Sequence, residues 1–194
     1  MYRSNKIHTQ NDLLLHNLME FFNIPDNVNT MINIINGETR TSLRIVDWFV
    51  TNYAKKNYTI YNIESTSLPN TSQRFKVYNE YKLKLKAYQK KRFDPFCRWD
   101  RITIPYNETQ CMETTIGQLN FFKWAIENKV IDYIQQNHDI IEDDMNSNNS
   151  TSKRRSPNDT SGDNTKTRKK REELSVSACK CIKKETVKII VKFD

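Results

Sequence analysis

The sequence predicts a single α+β domain: about five helices with a small antiparallel sheet, completed by a C-terminal β-hairpin. Three observations carry this. Several segments repeat apolar residues at helical spacing, shorter β-branched and aromatic runs lie between them, and aromatics reach 11% of the chain, too many for a disordered one. Hydrophobic residues make up only 37% of the 194 positions, below the roughly 45–50% usual for globular domains. A long polar segment should therefore accompany the core. The expected organisation is a main domain over 1–145, a disordered basic and polar insert over 146–168, and a hairpin over 169–194 that rejoins the main domain.

The elements follow in order. Leu14, Leu15, Leu18, Phe21 and Phe22 mark an amphipathic helix over 11–23, with Asn11 as its cap and Pro25 as its breaker. Asp26 can cap a second helix that runs through Ile35, and Gly37 closes it as a left-handed residue. Ser42 starts a third, with Leu43, Val46, Phe49, Val50 and Tyr53 as its stripe and Lys55 and Lys56 at its negative end. YTIYNI (58–63) has the composition of a strand, and 64–73 reads as a loop.

The stretch 74–93 predicts a helix. Val77, Tyr81, Leu85 and Tyr88 form a narrow apolar stripe, and lysines occupy the opposite face. Pro95 turns the chain, and RITIPY and CMETT follow as a short hairpin. Thr115 with Gln118 is a capping box that opens a helix over TTIGQLNFFKWAIENKVIDYIQQN. Its core face is Leu119, Phe122, Ala125 or Ile126, Val130, Tyr133 and Ile134, and HDIIEDDM can continue it. Residues 146–168 hold no large apolar side chain, so burial cannot offset the entropy of ordering them. Alternation then returns on both sides of KKET, which predicts the final hairpin. Strands 58–63 and 101–115 are its expected sheet partners.

Composition excludes several function classes. Three glycines, at 37, 117 and 162, cannot build a phosphate-cradling loop or a dinucleotide fingerprint. No apolar run approaches the ~18 residues of a membrane span, and MYRSNKIHTQND lacks the apolar region of a secretory signal. The expected compartment is cytosolic or nuclear, with no membrane partner and the four cysteines as thiols or metal ligands. Cys97, Cys111, Cys179 and Cys181 could in principle supply a zinc site, but they lack knuckle spacing, and buried thiols are the expectation. Cys97 could be activated by Arg98 and Arg101, yet no histidine lies near it in sequence. Glu142, Asp143 and Asp144 read as a solvated acidic helix end. No catalytic residue, metal or cofactor is therefore expected, and the chain reads as non-enzymatic.

The net charge of +8 is unevenly spread. Residues 74–101 hold 10 basic and 3 acidic side chains, 102–150 hold 2 and 8, and 151–194 hold 13 and 6. These blocks either satisfy one another inside the fold or present separate faces. Lys82, Lys84, Lys86, Lys90, Lys91, Arg92, Arg98 and Arg101 are interleaved with Tyr78, Tyr81, Tyr88 and Trp99. Cations neutralise phosphates and aromatic faces stack on bases, so this block points to nucleic acid. Lys153, Arg154 and Arg155, then Arg168, Lys169, Lys170 and Arg171, repeat the theme and resemble a bipartite nuclear-import signal.

The segments SLRIVDWFVTNYAKKN, KLKAYQKKRFDPFCRWDRI, TTIGQLNFFKWAIENKVIDYI and KKREELSVSACKCIKKETVKIIVKFD resemble a small, mostly uncharacterised protein family of nucleocytoplasmic large DNA viruses, the giant and algal viruses. The resemblance covers most of 42–194 outside the insert. It implies a viral context in the host cytoplasm (the virus factory), the nucleus or the virion, and a terminal hairpin that belongs to the unit. It supplies no catalytic residue. The leading expectation is a viral protein that binds nucleic acid, DNA first, in replication, late transcription or genome packaging. The alternative is a virion or virus-factory assembly protein, in which the basic block of one copy meets the acidic block of another or of a different viral protein.

Overall fold

Hydrogen bonding at the chain's turning points sets where its helices begin. The structure, a computed structural model, describes residues 9–64, 72–105, 110–153 and 185–186. Helix α1 spans Gln10–Phe22. Its cap is Thr9 rather than Asn11: the Thr9 hydroxyl accepts from the Asp12 N–H, and the Asp12 carboxylate accepts from the Thr9 N–H. Asp12 stands three residues after Thr9, so only Thr9 completes the reciprocal box. Helix α2 spans Pro25–Asn36. Pro25 takes its first position, where a missing N–H costs nothing, and this moves Asp26 inside the first turn. Gly37 closes it at φ 72°, as expected, and the Glu38 N–H reaches back to the Asn33 carbonyl.

Helix α3 runs over 43–56 from the Ser42 cap, whose hydroxyl accepts from the Ile45 N–H. It opens as Leu43–Trp48, widens into a π turn over Phe49–Tyr53 and ends on Ala54–Lys56. Leu43, Val46, Phe49 and Val50 are buried along it.

Strand β1 (Ile60–Glu64) pairs antiparallel with β2 (Ser72–Lys76), in register from Ile60↔Lys76 to Glu64↔Ser72. This corrects the sequence reading, which put 64–73 in a loop and began a helix at 74. Only Phe75 of β2 is buried, so the strand is defined by its pairing with β1 and not by its own composition. Helix α4 then spans Val77–Arg92, with Val77 and Tyr81 buried as predicted. It is interrupted at Gln89, whose φ of 59° and ψ of 169° belong to a region L-residues rarely adopt.

Beyond that kink the chain lies against the start of α5 (Ile116–Glu127). Asn120 Nδ2 donates to the Arg92 carbonyl at 2.8 Å, Gln118 Nε2 donates to the Pro95 carbonyl at 2.9 Å, and the Asp94 N–H reaches the Gly117 carbonyl. Gly117 makes this approach possible: a Cβ there would stand 2.9 Å from the Lys91 carbonyl oxygen. Gly117→Ala is therefore expected to destabilise the protein by about 1–3 kcal/mol, because the obstacle is backbone and cannot swing aside. A urea midpoint unchanged from wild type would refute this.

Thr115 caps α5 as predicted, accepting from the Gln118 N–H at 3.1 Å. The reciprocal half of the box is absent because the Gln118 side chain is spent on Pro95 and Thr114 instead. Helix α5 is buried on nearly every side, with Leu119, Phe121, Phe122 and Ala125 fully enclosed. Around it Phe93, Phe121, Trp124 and Tyr81 meet as an aromatic cluster. The long helix expected from 115 breaks at Lys129, which takes φ 56°, and resumes as α6 (Val130–Gln136) and α7 (His138–Lys153). The described residues thus hold seven helices, not about five.

Helix α7 enters the stretch expected as disordered, anchored by buried Ile141 and Met145. Residues 154–168 of that stretch lie outside the described residues.

Strands β3 (Arg101–Pro105) and β4 (Gln110–Thr115) pair from Arg101↔Thr115 to Pro105↔Cys111. A short β5 (Glu185–Thr186) joins the other edge of β4. These residues were expected in the turn of the final hairpin; the rest of that hairpin lies outside the described residues. One sheet was expected to collect 58–63, 101–115 and the C-terminal strands. Two separate sheets form instead, β1–β2 and β3–β4–β5.

Two phenols, Tyr61 half-buried and Tyr81 buried, tie this core to pH. Tyr61 stacks on Tyr133 with ring centres 5.0 Å apart and donates to the Asn128 carbonyl. Burial, then the neighbouring Tyr133 and Asp132, pushes its phenol well above the ordinary value. Burial likewise pushes Tyr81 up to about 12, helped by Asp47 and Asp94. The unfolded chain releases these protons from about pH 10, the folded chain only at higher pH. Stability is therefore complete below pH 10 and falls as pH rises from 10 towards 12. Tyr81→Phe should flatten part of that loss, which alkaline unfolding followed by circular dichroism would show.

Candidate nucleic-acid interface

The basic block resolves into two groups with different work. Lys82, Lys84, Lys86 and Lys90 are all exposed on α4, Lys90 just beyond the kink at Gln89. Among the described residues no acidic side chain pairs with any of the four. Lys82 and Lys86 stand one helical turn apart, on the side away from buried Val77 and Tyr81. Leu83 lies between them, 60% exposed. Lys84 borders a surface groove whose other walls are Leu14 and Phe21 of α1 and Lys123 and Glu127 of α5.

The second group is paired with acids or packed against the fold. Arg98 grips Asp94 through two hydrogen bonds of 2.8 Å, from Nε and Nη2. Asp94 is 3% exposed and also accepts from the Phe96 N–H. Lys91 pairs with Asp100 at 2.8 Å and Arg101 with Glu113 at 3.1 Å. Arg92 is half-buried.

Lys153 ends α7. Arg154, Arg155, Arg168, Lys169, Lys170 and Arg171 lie outside the described residues.

The interleaved aromatics divide too. Tyr81 is in the core, Tyr78 and Tyr88 are half-buried, and Trp99 is 42% exposed. Of the four, Trp99 offers the most open face for a base. Sequence reasoning passed over Tyr58, which is 85% exposed at the end of α3 beside Lys55 and Lys56. The signal was there in AKKNY, two cations before an aromatic. Lys55 also lies over the Tyr78 ring at 5.8 Å, so the end of α3 adjoins the start of α4.

The acidic block is largely matched elsewhere. Asp139 pairs with Arg40 at 2.6 Å, and that guanidinium holds its carboxyl below the usual range. Asp144 accepts from Lys56 Nζ at 2.6 Å and from Trp48 Nε1 at 3.0 Å. Burial pushes Asp144 up, but these donors prevail and hold it low. It is thus a structural anchor for α7, not part of a solvated helix end. Glu127 and Asp132 pair within their own helices or turns. Among the described residues, only the Arg101–Glu113 ion pair bridges the basic and acidic blocks. Apart from that pair, the charges of the two blocks do not neutralise one another among the described residues.

Cys97 is 3% exposed and Cys111 is half-buried. Cys179 and Cys181 lie outside the described residues. Among the described residues no helix is long and apolar enough to cross a membrane.

The chain belongs to a family of unknown function, DUF7197, whose pattern matches residues 3–192. It is also similar to an uncharacterised protein of Acanthamoeba polyphaga mimivirus, 49% identical over 121 residues. That match covers 60% of this chain and 46% of the relative, so the chain spans less than half the length of the curated relative it matches. A giant-virus relative agrees with the viral family expected from the sequence. No solved structure matches the chain.

Proposed function

We propose that this protein is a non-enzymatic viral nucleic-acid-binding protein that meets the phosphate backbone, DNA first, with the exposed lysines of α4. One observation carries the reading. Lys82, Lys84, Lys86 and Lys90 stay exposed and without an acidic partner among the described residues, while the acids of 102–150 are largely engaged elsewhere. Unpaired cations repel one another, so an external polyanion that spans them gains the whole attraction and releases its own counterions. Leu83 and Trp99 give the same region apolar and aromatic surface. The basic clusters at 153–155 and 168–171 would add sequence-independent affinity. A role in replication, late transcription or genome packaging fits such binding.

The alternative, an assembly protein joining basic to acidic blocks, is less favoured because Asp139, Asp144, Glu127 and Asp132 already have partners. Titration against double- and single-stranded DNA and RNA at two salt concentrations tests the proposal, with light scattering of the protein alone alongside. Micromolar or tighter binding that weakens steeply with salt supports it. No binding, with salt-sensitive self-association, transfers the basic face to assembly.

A further inference from the structure

The start of α7 holds a second cluster that the nucleic-acid reading does not use. His138 is 6% exposed, and its Nε2 lies 2.9 Å from the Arg40 carbonyl oxygen. A carbonyl can only accept, so Nε2 carries the hydrogen, and in the neutral ring Nδ1 is a bare lone pair. That Nδ1 is buried and has no hydrogen-bond partner among the described residues. It faces Asp139 Oδ1 at 3.5 Å and Glu142 Oε2 at 3.7 Å. Three electron-pair donors therefore point at one another, all within 4.8 Å. In the neutral ring acceptor faces acceptor, which is unfavourable, and either a proton on Nδ1 or a metal ion between the three groups removes the conflict.

We propose that His138 Nδ1, Asp139 and Glu142 form a binding site for a divalent transition-metal ion, with Zn²⁺ the best match. A tetrahedral ion with bonds of about 2.0–2.2 Å separates its ligands by roughly 3.3–3.6 Å, close to the two spacings seen here. One imidazole and two carboxylates suit a borderline ion better than a hard one such as Ca²⁺, which takes six or more oxygens. Three protein ligands leave the fourth position to water, and the exposed carboxylates of Asp139 and Glu142 give the ion its entry path. The bond from Nε2–H to the Arg40 carbonyl is the orienting contact that metal-binding histidines usually make. Arg40 also opposes the ion, since its guanidinium holds Asp139 Oδ1 at 2.6 Å. The positive N-terminal end of α7 opposes it as well.

The test is calorimetric titration of the chelator-treated full chain with Zn²⁺, repeated with Co²⁺ read by visible absorption. One equivalent should bind, and the Co²⁺ spectrum should lack the intense near-ultraviolet band of a thiolate ligand, which separates this site from the four cysteines. His138→Gln and Glu142→Gln should each weaken binding by about 10- to 100-fold or more, with circular dichroism confirming that they fold. Glu142→Gln changes a half-exposed side chain and is the safer variant for folding. Arg40→Ala keeps the main-chain carbonyl and removes the competitor, so binding should tighten. The proposal is overturned if no Zn²⁺ binds at about 100 μM, or if binding persists unchanged in both His138→Gln and Glu142→Gln.

Discussion

Replacing Lys82, Lys84, Lys86 and Lys90 together with alanine should lower the affinity for double-stranded DNA and flatten its dependence on salt. Each phosphate contact contributes about −0.9 to the slope of log K against log salt. Losing four contacts should reduce the steepness by about 3 to 4. The fold should survive, because all four side chains are exposed and none has an acidic partner among the described residues. Exposed substitutions of this kind usually shift stability by no more than about 0.5 kcal/mol each. The measurement is fluorescence anisotropy of labelled DNA over a salt series. A quadruple variant that binds with wild-type affinity and slope would remove α4 from the interface.

Arg98→Ala should behave in the opposite way, with a large loss of stability and little change in the salt slope. Removing the guanidinium leaves the buried Asp94 carboxylate with the main-chain N–H of Phe96 as its remaining hydrogen-bond donor among the described residues. An uncompensated buried charge of this kind costs about 3–5 kcal/mol. Arg98 is 45% exposed, so the real figure lies near the lower end, since water can enter where the guanidinium was. Asp94→Ala should cost less than Arg98→Ala, because the arginine left behind can turn to solvent. Urea unfolding of the two single variants and the double variant gives both the order and the coupling. Equal and small effects would mean that the pair is a surface contact only. Lysine at position 98 should recover only part of the loss, because an ammonium cannot reproduce the two-pronged hydrogen bond.

These two outcomes separate residues that look alike in one dimension. Lys86 and Arg98 both belong to a cation-rich block, and nothing in charge alone says that one faces solvent while the other neutralises a buried acid. The clue was the four-residue spacing of Asp94 and Arg98 across a Pro turn, which only the structure turns into contact. What was legible depended on short-range chemistry. Ser42, Thr115 and Gly37 each satisfy or close a helix end within a few residues, so their roles could be read directly.

Gln89 and Lys129 could not be read this way. Both take positive φ without being glycine, so the residue types at these positions do not announce the break. Strand β2 was missed for a related reason, since its identity comes from its pairing with β1. In the sequence the four cysteines are the conspicuous metal-ligand candidates. His138, Asp139 and Glu142 were present as H-D-x-x-E, but only helical geometry and the Arg40 carbonyl show that the ring nitrogen faces the carboxylates.

The three tryptophans occupy three unlike surroundings, and this gives the protein built-in optical reporters. Trp124 is enclosed among aromatic rings at 3% exposure, so its emission should be blue and shielded from dissolved quenchers. Trp48 is hydrogen-bonded to Asp144 and senses whether α7 is docked on α3. Trp99, at 42% exposure beside the Lys91–Asp100 pair, contributes the red, quenchable light. A stacked nucleobase would dim Trp99 and leave Trp124 unchanged, whereas loss of the core would shift Trp124 first. Unlabelled protein can therefore distinguish, within one spectrum, a ligand arriving at its surface from a fold coming apart.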